Sequence, residues 1–347
     1  KDWLDELSLQ PPATIDEWYT VLKAFKEKKN VSAPFTQVWT NNARMFVESF
    51  GILKGFYIDA NNGQIRFGQI EPGYRDWMTT MAQWYKEGLI DPDIASIQTS
   101  QQNQKMTSGA SGATVASVGS GMGTWTASAR PTNPKYEIIA LPSPDRAKGQ
   151  KRVYGIPNQP YSGQDSAAIT ATSKNVELVA RYLDWGYTQA GHLYYNFGIE
   201  GESYSIQNGK PIYTDAVMKN SKGWPLAQSM SAYVRSTGAG PFVQNEGYIE
   251  QYYALPEQLQ ALTNYNTPGA LNYLLPPITA SQEESRELAN IMNDINTYSD
   301  EMMTKFILGT EALNDASWNN FVSTIRRMGI DRAIAIEKAA LDRYKAR

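Results

Sequence analysis

The sequence predicts an α/β protein, and three observations lead there. Segments with helical apolar spacing alternate with short extended runs, two of the extended regions are closed by Asn-Gly turns, and no internal repeat or heptad pattern points to a solenoid or coiled coil. Mixed strands and helices of this kind form layers, more than a bundle or a sandwich. At 347 residues, 41% of them hydrophobic, the chain can bury a sizeable core and has the length for more than one domain.

The elements follow in order. Residues 1–7 (KDWLDEL) read as a short amphipathic helix with no targeting signal, and the chain is expected to begin inside a domain. After Pro11-Pro12, Thr14 is a good N-cap with Glu17 three residues on, ahead of Trp18, Leu22 and Phe25; Lys26 to Lys29 then suit the negative end of the helix dipole. Residues 56–68 (FYIDANNGQIRFG) read as a hairpin turning at Asn62-Gly63. Pro72 opens a helix in which Trp77, Met81, Trp84 and Tyr85 recur at helical spacing until Gly88, a core stripe more than a ligand site. Residues 95–112 are polar and, apart from Met106, lack periodicity. Ala113 to Gly123 are small and Gly-rich and read as a strand followed by Trp125. Tyr136–Pro142 reads as a strand, 143–152 as a linker or crossing, and Ser166–Ala171 as a further extended segment before a helix over 175–190. Residues 203–214 form a second hairpin, turning at Asn208-Gly209. Helices are expected near 246–264, 281–308, 317–327 and 331–345, the first tail helix presenting Leu288, Ile291, Met292 and Ile295 on one face.

Composition excludes several kinds of chemistry. With 32 basic and 35 acidic residues the net charge is −3, and no basic stripe suggests nucleic-acid binding. No apolar run reaches the roughly 18 residues a membrane span needs. There is no cysteine, hence no disulfide and no thiolate nucleophile or ligand, and His192 is the only histidine, so His/Cys metal sites are excluded and no metal or cofactor is expected. His192, just past a helix in QAGHL, reads as a packing or surface residue. No Walker A or GxGxxG pattern occurs; Gly119-Ser120-Gly121-Met122-Gly123 fits neither. Paired carboxylates for glycoside hydrolysis cannot be recognised from spacing alone, so a hydrolase stays an open alternative. The outstanding feature is aromatic content: nine Trp and 21 Tyr among 12% aromatics. Such rings offer flat apolar faces with polar tips, suited to packing and also to stacking on sugar rings.

Four separated stretches resemble one family. The opening KDWLDELSLQPPATIDEWYTVLKAFKEK is similar to a helix "W-L-x-x-L-G-L" leading to a "P-x-T-x-x-E-W" cap, with Ser8 in place of the usual Gly. MAQWYKEGLIDPD at 81–93 resembles a "K-L-Y-x-E-G-L-I-D-P-D" signature. YLDWGYTQAGHLYYNFGIEGESY at 182–204 resembles "L-D-x-x-Y-S-x-E-G" followed by "G-I-E-G-x-x-Y", and the region from TASQEESRELAN to EKAALDRY resembles the closing helices. On these residues the chain resembles extracellular solute-binding proteins of family 1, within them the large LplA-like lipoprotein group, across nearly its whole length and in the same order.

The resemblance implies a periplasmic-binding-protein-like fold of class II type: two α/β lobes joined by a hinge that closes on ligand, with the N-terminal lobe incomplete here. Residues 1–143 and 223–347 would form the C-terminal lobe and 144–222 the returning part of the N-terminal lobe. It further implies a monomer that binds a carbohydrate, most simply an oligosaccharide, and delivers it to the membrane permease subunits of an ABC importer. The protein would stand outside the cell membrane, lipid-anchored through an N-terminal cysteine in a segment this sequence lacks. A peptide or other polar solute is the alternative cargo, and a glycan-active enzyme or adhesin the alternative function. Relatives often carry a calcium-binding type of loop after the first long helix; Lys28–Pro34 has no carboxylate there, which argues against oxygen-ligand calcium chemistry. Loop aromatics and amides are the expected ligand contacts: Trp39 with Asn41 and Asn42; Trp125, in a position resembling the cleft Trp of sugar-binding relatives; Tyr161 with Gln164 and Asp165; and Trp224 and Tyr233.

Overall fold

In the computed structural model, the structure describes residues 1–38, 45–155, 167–235, 240–265 and 267–347, with the backbone alone at Tyr265. The chain forms two compact units. One comprises Lys1–Val115, Ile139–Asn158 and Asn264–Arg347; the other comprises Ala116–Ile138 and Gln159–Thr263. These limits differ from the expected partition at 143 and 222. The segment Ala116–Ile138 keeps company with Gln159–Thr263, and residues 223–263 stay with that unit as well. The reason is packing: Val118 is bonded to Gln258 and Arg130 to Glu257, which sequence order does not reveal.

The first unit is built on helices. The helix α1 spans Asp2–Glu6 and α2 spans Ile15–Lys28, the latter capped by Thr14, whose hydroxyl accepts from Glu17 N at 3.2 Å. Strand β1 (Phe35–Thr36) is followed by the hairpin β2 (Phe56–Ile58) and β3 (Ile65–Phe67), antiparallel with Tyr57 opposite Arg66. The expected turn residue Gly63 has φ +70°, a conformation glycine adopts without strain. Helix α3 (Pro72–Lys86) starts on Pro72, which gives up no hydrogen bond at a first-turn position. Its Tyr74, Trp77, Met78, Met81 and Trp84 are all buried, and Trp77 Nε1 donates to Met45 O at 2.7 Å. The polar stretch without apolar periodicity holds helix α4 (Thr99–Ser108), and β4 (Ala113–Thr114) pairs parallel to β1 in the register Phe35–Ala113.

The tail completes this unit. Helices α12 (Gln282–Leu308), α13 (Asp315–Arg327) and α14 (Ile330–Lys345) follow the expected ranges within two residues. The long helix α12 packs along α3, burying Ile295, Met303, Phe306 and Ile307, while Leu288, Ile291 and Met292 lie at the core's edge as the apolar spacing anticipated. Ser281 and Glu284 form a reciprocal capping box that satisfies two otherwise orphan N–H groups.

The second unit has its own smaller core of Phe197, Tyr204, Tyr213, Val217, Met230 and Tyr248. Its elements are α5 (Thr124–Ala129), α6 (Val176–Trp185), α7 (Gln189–Phe197), the hairpin β5 (Tyr204–Gln207) and β6 (Lys210–Tyr213), α8 (Asp215–Met218), α9 (Leu226–Ser231) and α10 (Glu246–Tyr252). Helix α11 (Pro256–Tyr265) follows. The hairpin turns where expected: Asn208 and Gly209 both adopt positive φ, 51° and 79°, the two left-handed residues of a tight turn matched to strand twist. The helix expected over 246–264 is broken at Pro256, where the ring forbids the preceding turn from continuing. The strand expected at 136–142 makes no ladder, and 167–171 is likewise unpaired.

Candidate functional site

Six of the expected contacts, Trp39, Asn41, Asn42, Tyr161, Gln164 and Asp165, lie outside the described residues. Trp125, Trp224 and Tyr233 all fall in the second unit, in separate surroundings.

The Gly-rich run is not a strand. Only Ala113–Thr114 is extended; Val118–Gly123 winds as one π-helical turn directly into α5, which carries Trp125. The polar neighbours Thr124 and Thr126 suggested an indole projecting from the chain, but in a helix adjacent residues point about 100° apart, so they say little about where Trp125 faces. The indole is 3% exposed, and Thr126 is buried beside it. This corrects the expected projecting plate: Trp125 is part of the floor of its surroundings.

The glycines explain the wide turn. A methyl group at Gly119 would lie 2.3 Å from the Tyr252 ring, and one at Gly123 would lie 2.6 Å from Gln258 Nε2. That same Gln258 nitrogen donates to Val118 O at 2.9 Å, tying the turn to the start of α11. Tyr252 belongs to a run of rings, with Tyr248 at 5.7 Å and Tyr253 at 5.2 Å between centroids. Burial raises the phenol pKa of all three, that of Tyr248 to about 12, so each remains a neutral hydroxyl. Arg130 binds Glu257 at 2.8 Å and donates through Nε to Tyr136 O. Burial pushes the Glu257 carboxyl up, but its own backbone N–H and Arg130 outweigh that and hold it below the usual range. Sequence reading missed Tyr248, Tyr252, Tyr253 and Gln258. The signal available was the Tyr248/Tyr252 spacing of four, which places two rings on one helix face.

Trp224 closes a turn in which Asn220 Oδ1 accepts from Trp224 N and Asn220 Nδ2 donates to Trp224 O, both at 2.9 Å. Lys222 stands 4.2 Å over the indole ring. Tyr233 lines a hollow of about 400 Å³ with Tyr182, Trp185, Tyr194, Tyr195 and Arg235. There the Arg235 guanidinium lies 4.0 Å over the Tyr195 ring and donates to Tyr182 Oη at 2.9 Å. His192 lies in a network of amides. Asn245 Oδ1 accepts from Gly247 N, which leaves Asn245 Nδ2 as the donor 2.9 Å from His192 Nε2. The imidazole thus supports the cap of α10, the packing role expected of it. Among the described residues no group of three or more His, Cys, Asp or Glu could hold a metal ion.

The chain belongs to the bacterial extracellular solute-binding protein family, which it matches over residues 1–192. It is 24% identical, over all of its length, to the fructooligosaccharide ABC transporter substrate-binding protein FusA of Streptococcus pneumoniae, of which it covers 65%. It is 26% identical over 244 residues to lipoprotein LipO of Bacillus subtilis, matching 64% of this chain and 45% of LipO, so the chain spans less than two thirds of either relative. The crystal structure of the alginate-binding protein AlgQ2 without calcium ion superposes with a TM-score of 0.79 at 29% identity, covering 98% of this chain and 70% of that one. The α/β, periplasmic-binding-protein-like fold class read from the sequence is the class these relatives share.

Proposed function

We propose that this protein is the substrate-binding component of an ABC importer, that its cargo is an oligosaccharide, and that it binds without turning the cargo over. The observation that carries the reading is the likeness to AlgQ2 at 29% identity over 98% of the chain. The chemistry of the second unit is consistent with it: neutral phenols, amides and indole faces offer ring stacking and hydroxyl hydrogen bonds without needing an acid–base pair. The contacts proposed are Trp224 and Tyr233, with Trp39, Asn41, Asn42, Tyr161, Gln164 and Asp165, and Tyr252 beside Gly119 with its neighbour Tyr253. Delivery to permease subunits, a monomeric state, and lipid anchoring at the outer face of the membrane belong to the same proposal.

A thermal-shift screen tests it, run with the longest polypeptide the gene encodes against alginate and fructan oligosaccharides, neutral glucans and short peptides. A ligand bound only by the folded state, at a concentration of about 100 Kd, adds about 2.7 kcal/mol of stability, a rise of several degrees in Tm. One saccharide class raising Tm, with the saccharide recovered intact after hours, is the expected result. Stabilisation by peptides alone sinks the carbohydrate reading, and steady release of shortened saccharides sinks the claim of binding without turnover.

A further inference from the structure

The dipeptide Asn-Gly occurs twice in the chain, at Asn62-Gly63 and Asn208-Gly209, each time in the turn of a two-stranded hairpin. The pair has a chemistry of its own. The backbone nitrogen of the glycine follows directly on the asparagine carbonyl, so its attack on the side-chain carbon Cγ closes a succinimide ring, and a residue without Cβ crowds that attack least. Both turns are exposed, and a Cβ at either glycine would meet nothing within 4 Å, so access by solvent does not separate them. Hydrogen bonding does. In the first hairpin Gly63 N donates to Asp59 O at 2.8 Å, and Asn62 Oδ1 accepts from Gln64 N at 3.0 Å. The attacking nitrogen there keeps its proton in a bond, and the carboxamide is held toward Gln64. In the second hairpin Gln207 pairs with Lys210, so Asn208 and Gly209 alone make the loop. Among the described residues no group accepts from Gly209 N and none holds the Asn208 carboxamide.

We infer that Asn208 is a site of spontaneous deamidation, and that Asn62, with the same residue after it, is protected by its own turn. The reaction needs no oxidant or reductant. Gly209 N forms a bond to Asn208 Cγ, the Cγ–Nδ2 bond breaks, and Nδ2 leaves as ammonia with the proton that Gly209 N gives up. Water then opens either bond from the ring nitrogen to a carbonyl, leaving isoaspartate or aspartate at residue 208. Each product puts a carboxylate in place of a neutral amide and adds one negative charge to the net −3. Isoaspartate also routes the main chain through the former side chain, one methylene longer, and a two-residue turn matched to strand twist cannot take that up without losing the Gln207–Lys210 pair. Tyr204 and Tyr213, the hairpin's two members of the core, pair at its other end, so the change stays local. At Asn62 two hydrogen bonds must open before Gly63 N can attack. At the net worth of ordinary hydrogen bonds, that slows the reaction about tenfold or more. Turn geometry alone carries this, whatever solute the protein binds.

Peptide mapping by mass spectrometry tests it on the 347-residue protein, held in mildly alkaline buffer at physiological temperature and sampled over days, with electron-transfer fragmentation to tell isoaspartate from aspartate. Residue 208 is expected to convert from carboxamide to carboxylic acid about tenfold or more faster than residue 62. In concentrated urea, where neither turn persists, the two rates are expected to converge. Asn208→Gly keeps the positive φ of 51° and has no carboxamide to attack; it is expected to remove the acidic species that ageing adds to the ion-exchange profile, and to leave the melting temperature within a degree or two. Three results overturn the inference: residue 208 unmodified, or modified no faster than residue 62, in the native protein; the same gap persisting in urea, which assigns it to Gln64 against Lys210 and not to the turns; or an acidic species that Asn208→Gly leaves in place.

Discussion

The tightest claim about the glycine turn is that Gly119 is there to let Tyr252 in, and a mutant cycle reads it directly. A Cβ at residue 119 would lie 2.3 Å from Tyr252 Cε1 and Oη and 2.5 Å from Cζ. Carbon atoms in contact prefer about 3.5–4.0 Å, so the ring must retreat by more than about 1 Å. It has little freedom to do so, with Tyr248 on one side and Tyr253 on the other. Overpacking of this kind costs about 1–3 kcal/mol, against which alanine in a helical backbone regains up to about 1 kcal/mol over glycine. Gly119→Ala should therefore destabilise by about 1 kcal/mol. In a Tyr252→Ala background the clash is gone and only the backbone gain remains, so the same change should stabilise. The coupling energy is expected at about 1–3 kcal/mol, measured by urea unfolding of the four proteins. Additivity within about 0.3 kcal/mol would refute the packing argument. Saccharide titrations of the same set separate packing from binding: if Tyr252 contacts the ligand, Gly119→Ala weakens binding about tenfold, the equivalent of 1.4 kcal/mol, whereas unchanged affinity in a destabilised protein removes Tyr252 from the site.

Three further outcomes concern the first unit. Asp91 is fully buried and accepts from Thr36 Oγ1 at 2.5 Å and from Lys105 Nζ at 2.8 Å; Lys105→Met leaves that carboxylate without its cation and should cost about 3 kcal/mol by chemical denaturation, a loss under 1 kcal/mol counting against the pair. Ser281→Ala removes half of the capping box of α12 and should cost about 1 kcal/mol, read from the shift in denaturation midpoint at unchanged slope. Burial raises the pKa of Glu337 on α14, so the folded state holds its proton more tightly than the unfolded one. The contribution of Glu337 to stability is then fully present below its unfolded value and is lost as pH rises through the folded one. Glu337→Gln should raise Tm at pH 7 and make little difference at pH 4, and the opposite order would overturn the assignment.

What could be read from sequence was what neighbouring residues decide. Thr14 with Glu17, Pro72 and Asn208-Gly209 each carry their own geometry, and each appears where expected. Helix α4 shows the opposite case. Its residues TSQQNQKMTS have no apolar period, and its place is set by Gln98 and Gln101 capping each other and by Gln102 Nε2 donating to Thr114 Oγ1 at 2.7 Å, a partner twelve residues on. The Gly-rich run misled for a similar reason. Small residues suit a strand passing close to other backbone, but they suit equally a helical turn passing close to a side chain, and only Tyr252 and Gln258, more than a hundred residues later, decide between the two.

The candidate site was legible as a composition and not as a place, because one residue type does opposite work in this chain. Tyr213 is buried, its hydroxyl donating to Asn196 O, and burial lifts its pKa far above the ordinary phenol range. Tyr182 and Tyr187, by contrast, are more than half exposed. Nothing in the local sequence separates them: Tyr213 follows Pro211-Ile212 in a strand, and Tyr182 precedes Leu183 in an apolar helix. The difference lies in what the rest of the polypeptide lays against each ring. An exposed ring therefore does not by itself mark a ligand surface. Around Tyr182 both kinds of neighbour occur: the Arg235 guanidinium donates to its hydroxyl at 2.9 Å, while the aliphatic Val179 and Leu183 stand on the same helix, so the ring's role is set by its three-dimensional neighbours and not by its exposure.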